Sequence, residues 1–230
     1  MTGQFEISRA DGEAIDLAEL EAILEQVAFT STSDNPTNYG ANQTRTIAFT
    51  TSDGLATSDP VSVTITVEGV NDAPVNTLGA AVTGQEDEVI SVTGLSISDL
   101  DADPANQDME VTLTAEAGTL TLDPTTLGNL NFSIGDGGSD TTMTFSGRAN
   151  DINAALATLT LAPPANYNGT LDITITTSDL GHTGTGGPAT DSDTKTISIN
   201  AVNDAPVVSG DGTESTTTLE DTPSVIGQSV

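Results

Sequence analysis

A chain of 230 residues with 34 acidic and 4 basic side chains carries a formal charge of −30, which repels nucleic acid and anionic lipid alike. It has no cysteine and one histidine, His182. Disulfides, thiolate metal sites and multi-histidine zinc sites are therefore excluded, and any bound metal takes oxygen ligands.

Aromatic residues make up 3% of the chain and tryptophan is absent, while threonine, serine, glycine and aspartate are abundant. This is the profile of many short strands joined by polar turns. So much negative charge works against a compact state unless divalent cations, or dilution along an elongated array, offset it, which makes calcium the natural candidate. No run of eighteen apolar residues occurs, and Met1 to Glu6 lack a basic segment leading into an apolar one. Neither a membrane span nor a cleavable signal is expected within these residues.

Taken in order, residues 1–70 begin with Phe5 and Ile7 and then reach Asp16, whose side chain is placed to cap a short helix carrying Leu17, Leu20 and Leu24 at helical spacing, with Glu19 three residues after the cap. A polar loop from Ser31 to Thr44 leads into Arg45 to Thr50, which alternates like a strand with one buried face. Asp53-Gly54 turns the chain, and Val61, Val63, Ile65 and Val67 alternate in the strand that follows.

That strand ends at Val70-Asn71-Asp72-Ala73-Pro74-Val75, a hexapeptide that returns as Val202-Asn203-Asp204-Ala205-Pro206-Val207, 132 residues on. A fixed-step identity closing an alternating run marks tandem domains joined by a short linker. Asn and Asp offer oxygens to a cation, while Pro fixes φ and ends the ladder; the alternative is a plain Asx-Pro turn.

Residues 71–202 hold one complete repeat. Glu86-Asp87-Glu88 precedes an apolar run at Val89 to Val92, and Leu95 and Ile97 lead into Asp99-Leu100-Asp101-Ala102-Asp103. In an extended chain those three aspartates, spaced by two, project from one side, where they raise one another's pKa unless a cation lies between them; the alternative is a solvated acidic loop. Strand faces follow at Met109, Val111 and Leu113, at Leu120 and Leu122, at Leu130 and Phe132, and at Met143 and Phe145. Asp151 to Leu156 reads as a second short capped helix, and the last strands carry Leu171, Ile173 and Ile175, then Ile197, Ile199 and Ala201.

The opening residues match the end of this repeat: Asn38-Tyr39-Gly40 resembles Asn166-Tyr167-Asn168-Gly169, and Ser52-Asp53-Gly54 resembles Ser178-Asp179-Leu180-Gly181. Residues 1–70 therefore read as the second half of a preceding repeat and 203–230 as the start of the next, where Glu220-Asp221 repeats Glu86-Asp87. The chain reads as a fragment, with targeting signals elsewhere in a parent protein. Both tyrosines fall at sandwich corners, a packing position. The expected fold is all-β, an antiparallel Greek-key sandwich in tandem with one short helix per repeat.

Gly135-Asp136-Gly137-Gly138 occurs once and reads as a hairpin turn rather than a stacked calcium coil, and Gly184-Thr185-Gly186-Gly187 lacks the lysine and the strand-to-helix setting of a phosphate loop. His182 beside it reads as a surface loop residue. Asp191, Asp193 and Asp59 are weak metal candidates.

Asn-Asp-Ala-Pro after an alternating strand, Glu86 upstream of Asp99-Leu100-Asp101, and Tyr167 followed by alternation to Asp179 resemble the cadherin pattern. More closely, the chain resembles the cadherin-like tandem repeats of giant bacterial surface adhesins, in which Val-Asn-Asp-Ala-Pro recurs at each joint. The resemblance implies calcium held between consecutive domains. Asn71 and Asp72 then match the linker ligands, Asp99 and Asp101 (with Asp103 beyond them) the acidic cluster at the top of the following domain, and Asp179 the acidic residue ending a late strand. Glu86 matches the glutamate serving the lower junction, with Asn203 and Asp204. Asp53 and Glu220 hold the Asp179 and Glu86 roles in the flanking repeats. The linker lacks the further Asp and Asn of cadherins, and the Leu-Asp-Arg-Glu segment is missing, which implies fewer ions per joint or weaker binding.

The reading that follows is a calcium-rigidified spacer repeat of an extracellular or cell-surface adhesin, contacting neighbouring repeats of its own chain. A polysaccharide or protein receptor would be met through other domains. The alternative is a carbohydrate-binding sandwich module of an extracellular enzyme; it lacks the exposed aromatics that sugar platforms present. An enzymatic role has no nucleophile motif or His-carboxylate pair behind it.

Overall fold

The computed structural model describes residues 7, 15–53, 55–102, 107–182 and 184–205. Helix α1 (Leu17–Leu24) starts where expected: Asp16 caps it, its carboxylate accepting from Glu19 N at 2.8 Å. Strands β1 (Thr44–Phe49) and β2 (Val61–Thr66) form an antiparallel hairpin with Thr44 opposite Thr66 and Phe49 opposite Val61. The hairpin is a two-stranded sheet by itself. Its apolar face is only partly covered, with Val61 67% and Val63 48% exposed, so the one buried face expected here is not achieved among the described residues.

Beyond the first joint, eleven short strands make a sandwich. They are β3 (Val75–Thr77), β4 (Val82–Gln85), β5 (Ile90–Ser91), β6 (Ser96–Ser98), β7 (Asp108–Ala115), β8 (Thr119–Thr121), β9 (Asn131–Ile134), β10 (Thr142–Arg148), β11 (Thr160–Ala162), β12 (Gly169–Ser178) and β13 (Thr190–Asn200). One sheet has six strands in the order β4-β13-β12-β7-β10-β9; the other elements form a three-stranded sheet β5-β11-β8 and the pair β3-β6. The protein is an all-β sandwich. All pairings of these strands are antiparallel, as expected, except β4 with β13, which run parallel from Val82 beside Ile197 to Gln85 beside Asn200.

Period-two alternation puts Met109, Val111, Leu113, Met143, Phe145, Ile173, Ile175 and Ile197 on the inner face of the large sheet. Ile90, Ile97, Leu120 and Leu161 meet them from the small strands. Each such side chain, fully buried, contributes about 1.5–3 kcal/mol. Helix α2 (Ala149–Leu156) adds Ile152, Ala155 and Leu156 to the core. Its N-cap is Arg148, without a side-chain cap. Asp151 lies in the first turn and accepts from Asn129 Nδ2 at 2.9 Å, so the expected aspartate cap is displaced by one turn of chain already wound ahead of it.

The Gly135 to Gly138 segment is a hairpin turn between β9 and β10, with Asp140 Oδ2 accepting from Asp136 N at 3.0 Å and Gly137 N at 2.9 Å. Tyr167 is a corner residue, its hydroxyl donating to Thr170 O at 2.6 Å.

Candidate metal centre

The first joint enters the sandwich along the loop joining β12 to β13. Asn71 N donates to Thr185 O at 2.9 Å and Thr185 N donates to Gly69 O at 2.8 Å. This loop comes so close that a Cβ on Gly184 (φ +79°) would lie 2.5 Å from Asn71 N, so only glycine fits. The run Gly184 to Gly187, which the sequence only excludes as a phosphate loop, is thus part of the joint's cradle; a glycine cluster just after an acidic strand end was the available signal.

Two buried carboxylates bond the entering linker, Asp179 (2% exposed) and Asp101 (6%), and a third, Asp99 (4%), lies within electrostatic reach of both. Asn71 Nδ2 donates to Asp179 Oδ2 at 2.5 Å and to Gly187 O at 3.2 Å. Asp72 N donates to Asp101 Oδ2 at 2.8 Å. Asp179 Oδ1 accepts from Gly181 N at 2.9 Å and Ala189 N at 2.8 Å, pinning its own loop. Asp99 Oδ1 accepts from Asp101 N at 2.8 Å and Ala102 N at 2.6 Å. The Asp99 to Ala102 segment is therefore an Asx turn and not extended, which corrects the picture of three aspartates projecting from one side of a strand. Asp103 lies outside the described residues.

Burial pushes the Asp99 carboxyl above its ordinary range; the negative charges of Asp179 and Asp101 add to that, and the backbone N–H donors of Ala102 and Asp101 oppose it. Two of the basic groups are engaged elsewhere. Lys195 donates to the carbonyls of Leu78 and Ala80, and Arg45 to those of Pro36, Asn42 and Thr44.

Among the described residues no group of three or more histidine or acidic side chains is placed to hold a metal ion. The carboxylates stand back to accept backbone N–H groups, although each carboxylate has about four lone-pair sites. The donor chemistry suits a hard cation: carboxylates, an amide oxygen, and no sulfur or imidazole. One oxygen is conspicuous, since Asn71 Oδ1 is buried with no hydrogen-bond partner. A buried acceptor of that kind is costly, and a cation beside it removes the cost.

At the other end, Glu86 is buried. Its Oε1 accepts from Val202 N at 2.8 Å and its Oε2 from Asn168 Nδ2 at 3.0 Å, while Glu86 N donates to Asn200 O at 3.0 Å. Glu86 is thus placed at the second joint, immediately before Asn203 and Asp204, both exposed. No hydrogen bond links it to either of them; Asn203 Nδ2 donates to Asp204 O at 3.2 Å. Asn168 was missed in the sequence, although it adjoins the corner tyrosine. Glu220 lies outside the described residues. Asp53 is exposed, and its Oδ1 accepts from Leu55 N at 2.9 Å and Ala56 N at 2.8 Å. These N–H groups, Ala56 first, lower its pKa, and its hydrogen bonds stay within its own turn. Asp191 is occupied structurally, accepting from Asn76 N at 2.8 Å.

Fold and joint together define an acidic all-β sandwich whose incoming linker is hydrogen-bonded by two buried carboxylates, with a third buried beside them. No family model matches the chain, and no curated protein matches it. Among solved structures it is similar to the crystal structure of human mucin-like protocadherin EC1-2, at 14% identity and a TM-score of 0.35, over 71% of this chain and 71% of that one. A likeness of that size carries no argument about function. Among the described residues no helix is long and apolar enough to cross a membrane.

Proposed function

We propose that this chain is a calcium-binding structural repeat of a large extracellular adhesin, a spacer in cell-surface or biofilm adhesion that calcium stiffens and that performs no catalysis of its own. The observation that carries this reading is the convergence of Asp101 and Asp179 on Asn71 and Asp72, with Asp99 buried within electrostatic reach of both carboxylates and Asn71 Oδ1 buried and unpartnered. At the first joint the ion would be held by Asn71 Oδ1 and the carboxylates of Asp72, Asp99, Asp101 and Asp179. At the second, Glu86 would act with Asn203 and Asp204. Asp103 and Glu220 extend the two sets in sequence, and Asp53 takes the Asp179 role one repeat earlier.

The bound cation supplies positive charge where buried carboxylates repel one another. The chain's own residues do the rest. Asp101 fixes Asp72 through its backbone N–H, Asp179 fixes Asn71 and its own loop, and Gly184 lets the linker lie against that loop. Neutralising the cluster locks the linker, so successive repeats are held in line. The carbohydrate-binding alternative is less well supported, because Phe132 and Tyr167 pack against the core and Phe145 lies within it.

Calorimetric titration with calcium tests the reading, comparing the protein with an Asp99→Ala, Asp101→Ala double variant. Loss of binding in the variant is expected, and equal binding by both proteins defeats the assignment.

A further inference from the structure

We infer that the sandwich of residues 75–200 is built to bear tension: force entering through the two joints is carried in shear by the parallel pair β4–β13, which buried Lys195 and Glu86 fasten at either end. The inference rests on the spacer reading for the direction of load and not on calcium.

The chain enters at Asn71, runs through β3 to β4, and leaves from β13 at Asn203. Pulling the two joints apart drags β4 toward its N-terminal end and β13 toward its C-terminal end. Because the two strands are parallel, those directions oppose along a common axis. The paired stretch from Val82–Ile197 to Gln85–Asn200 is then loaded all at once instead of being opened one bond at a time. An antiparallel terminal pair would place both handles at the same end and unzip. Strand β4 is the edge of its sheet and pairs only with β13, whereas β13 is held along Thr190 to Ile199 by β12. The short parallel ladder is therefore where the sheet yields first.

Both of its ends are reinforced. Before β4, the Lys195 ammonium reaches from the inner face of β13 to the carbonyls of Leu78 and, at 2.8 Å, Ala80, tying the β3–β4 connection directly to the last strand. A buried ammonium is a costly choice at such a site. Position 63, which occupies the same place in the first hairpin by the joint's 132-residue offset, is a valine. After β4, Glu86 N donates to Asn200 O and Glu86 Oε1 accepts from Val202 N, which extends the ladder past the end of the strand. Load passing through either end meets a charged, buried fastener.

Single-molecule pulling of the full chain from its two termini tests this. The sandwich is recognised by an unfolding step releasing about 40 nm of chain. Lys195→Met, which keeps the volume and follows the apolar residue at position 63, and, compared in chelator because Glu86 is also a proposed calcium ligand, Glu86→Gln are expected to move that step to lower force. Leu156→Ala, in the core away from the ladder, is expected to lower the thermal midpoint while leaving the force nearer that of the unaltered chain. The inference is overturned if Lys195→Met yields at unchanged force, or if Leu156→Ala lowers the force as far at a matched loss of thermal stability. Lys195→Met alone carries the test if Glu86→Gln does not fold. The Lys195→Met difference is expected to persist in chelator, whether or not chelation alters the stiffness of the joints; its disappearance there would count against the clamp and not against the calcium reading.

Discussion

Asn71 and Asp179, 108 residues apart in sequence, share a 2.5 Å hydrogen bond from amide Nδ2 to carboxylate Oδ2. The asparagine of the linker motif is thereby fixed to the end of the penultimate strand of the sandwich it introduces. The other amide atom, Oδ1, is buried without a partner.

Replacing Asn71 by alanine removes both the fastening and that oxygen. Calcium affinity is expected to fall at least about tenfold, the scale seen when groups around a metal are lost. Asn71→Asp, which restores an oxygen and adds charge, is expected to retain binding. Isothermal titration of the three proteins checks this, and unchanged affinity in the alanine variant would remove Asn71 from the ligand set.

Asp99 gives the pH dependence a sign. Its folded-state pKa is raised, chiefly by burial, so between its ordinary value of 3.8 and the higher folded value the unfolded chain has lost the proton that the folded chain still holds. Stability from this group therefore falls as pH rises through that window, and the penalty is complete once pH has passed the folded value. In chelator, Asp99→Asn is expected to melt above the unaltered protein at pH 7 and with it at pH 3. In calcium the order at pH 7 is expected to reverse, because a carboxylate gains more from the ion than a neutral amide oxygen does. Calorimetric melting at both pH values decides it; an asparagine variant that melts lower at pH 7 in chelator would contradict the assigned burial cost.

Glu86 is expected to matter for stability even without calcium. Glu86→Ala leaves Val202 N and Asn168 Nδ2 without their acceptor and should cost about 2–3 kcal/mol. Asn168→Ala, which removes a single donor at the same carboxylate, should cost less, about 1 kcal/mol. Urea midpoints give both values, and amide exchange at Val202 should accelerate in Glu86→Ala and stay slow in Asn168→Ala.

Much of this was legible because alternation is a local signal. Ile173 and Ile175 on β12 and Ile197 and Ile199 on β13 announce an inner face without knowledge of their partners, and Asp16 announces a helix start through one turn of chain. Direction is not local: nothing in Val82 to Gln85 says that its neighbour runs parallel, since side-chain alternation is the same for either sense. Asp99 and Asp101 were placed at the right end of the sandwich but in the wrong backbone, because an aspartate that accepts its own downstream N–H groups replaces strand geometry with a turn. The Gly184 loop was discounted for lacking a phosphate motif, when its significance was the closeness with which backbone meets backbone at Asn71.

Asn153 extends the same lesson to a residue no motif marks. From the middle of α2 its Oδ1 accepts from Ile97 N and its Nδ2 donates to Ile97 O, both at 2.8 Å. A side-chain amide thus satisfies both backbone groups of a β6 residue that the ladder with β3 leaves unpaired on that side. Ile97 stands two residues before Asp99, so this clasp sets where the acidic turn begins. Asn153→Ala is expected to cost about 2 kcal/mol in urea denaturation, with the Ile97 N–H and C=O left without that partner. Asn153→Asp keeps the acceptor and loses the donor, and should fall between alanine and the unaltered protein. If β6 positions the acidic turn, the alanine variant should also bind calcium more weakly although none of the candidate ligands has been touched. Loss of stability with undiminished calcium affinity would instead make Asn153 a fold residue only, and would show that the Asx turn of Asp99 holds its shape without the strand that leads into it.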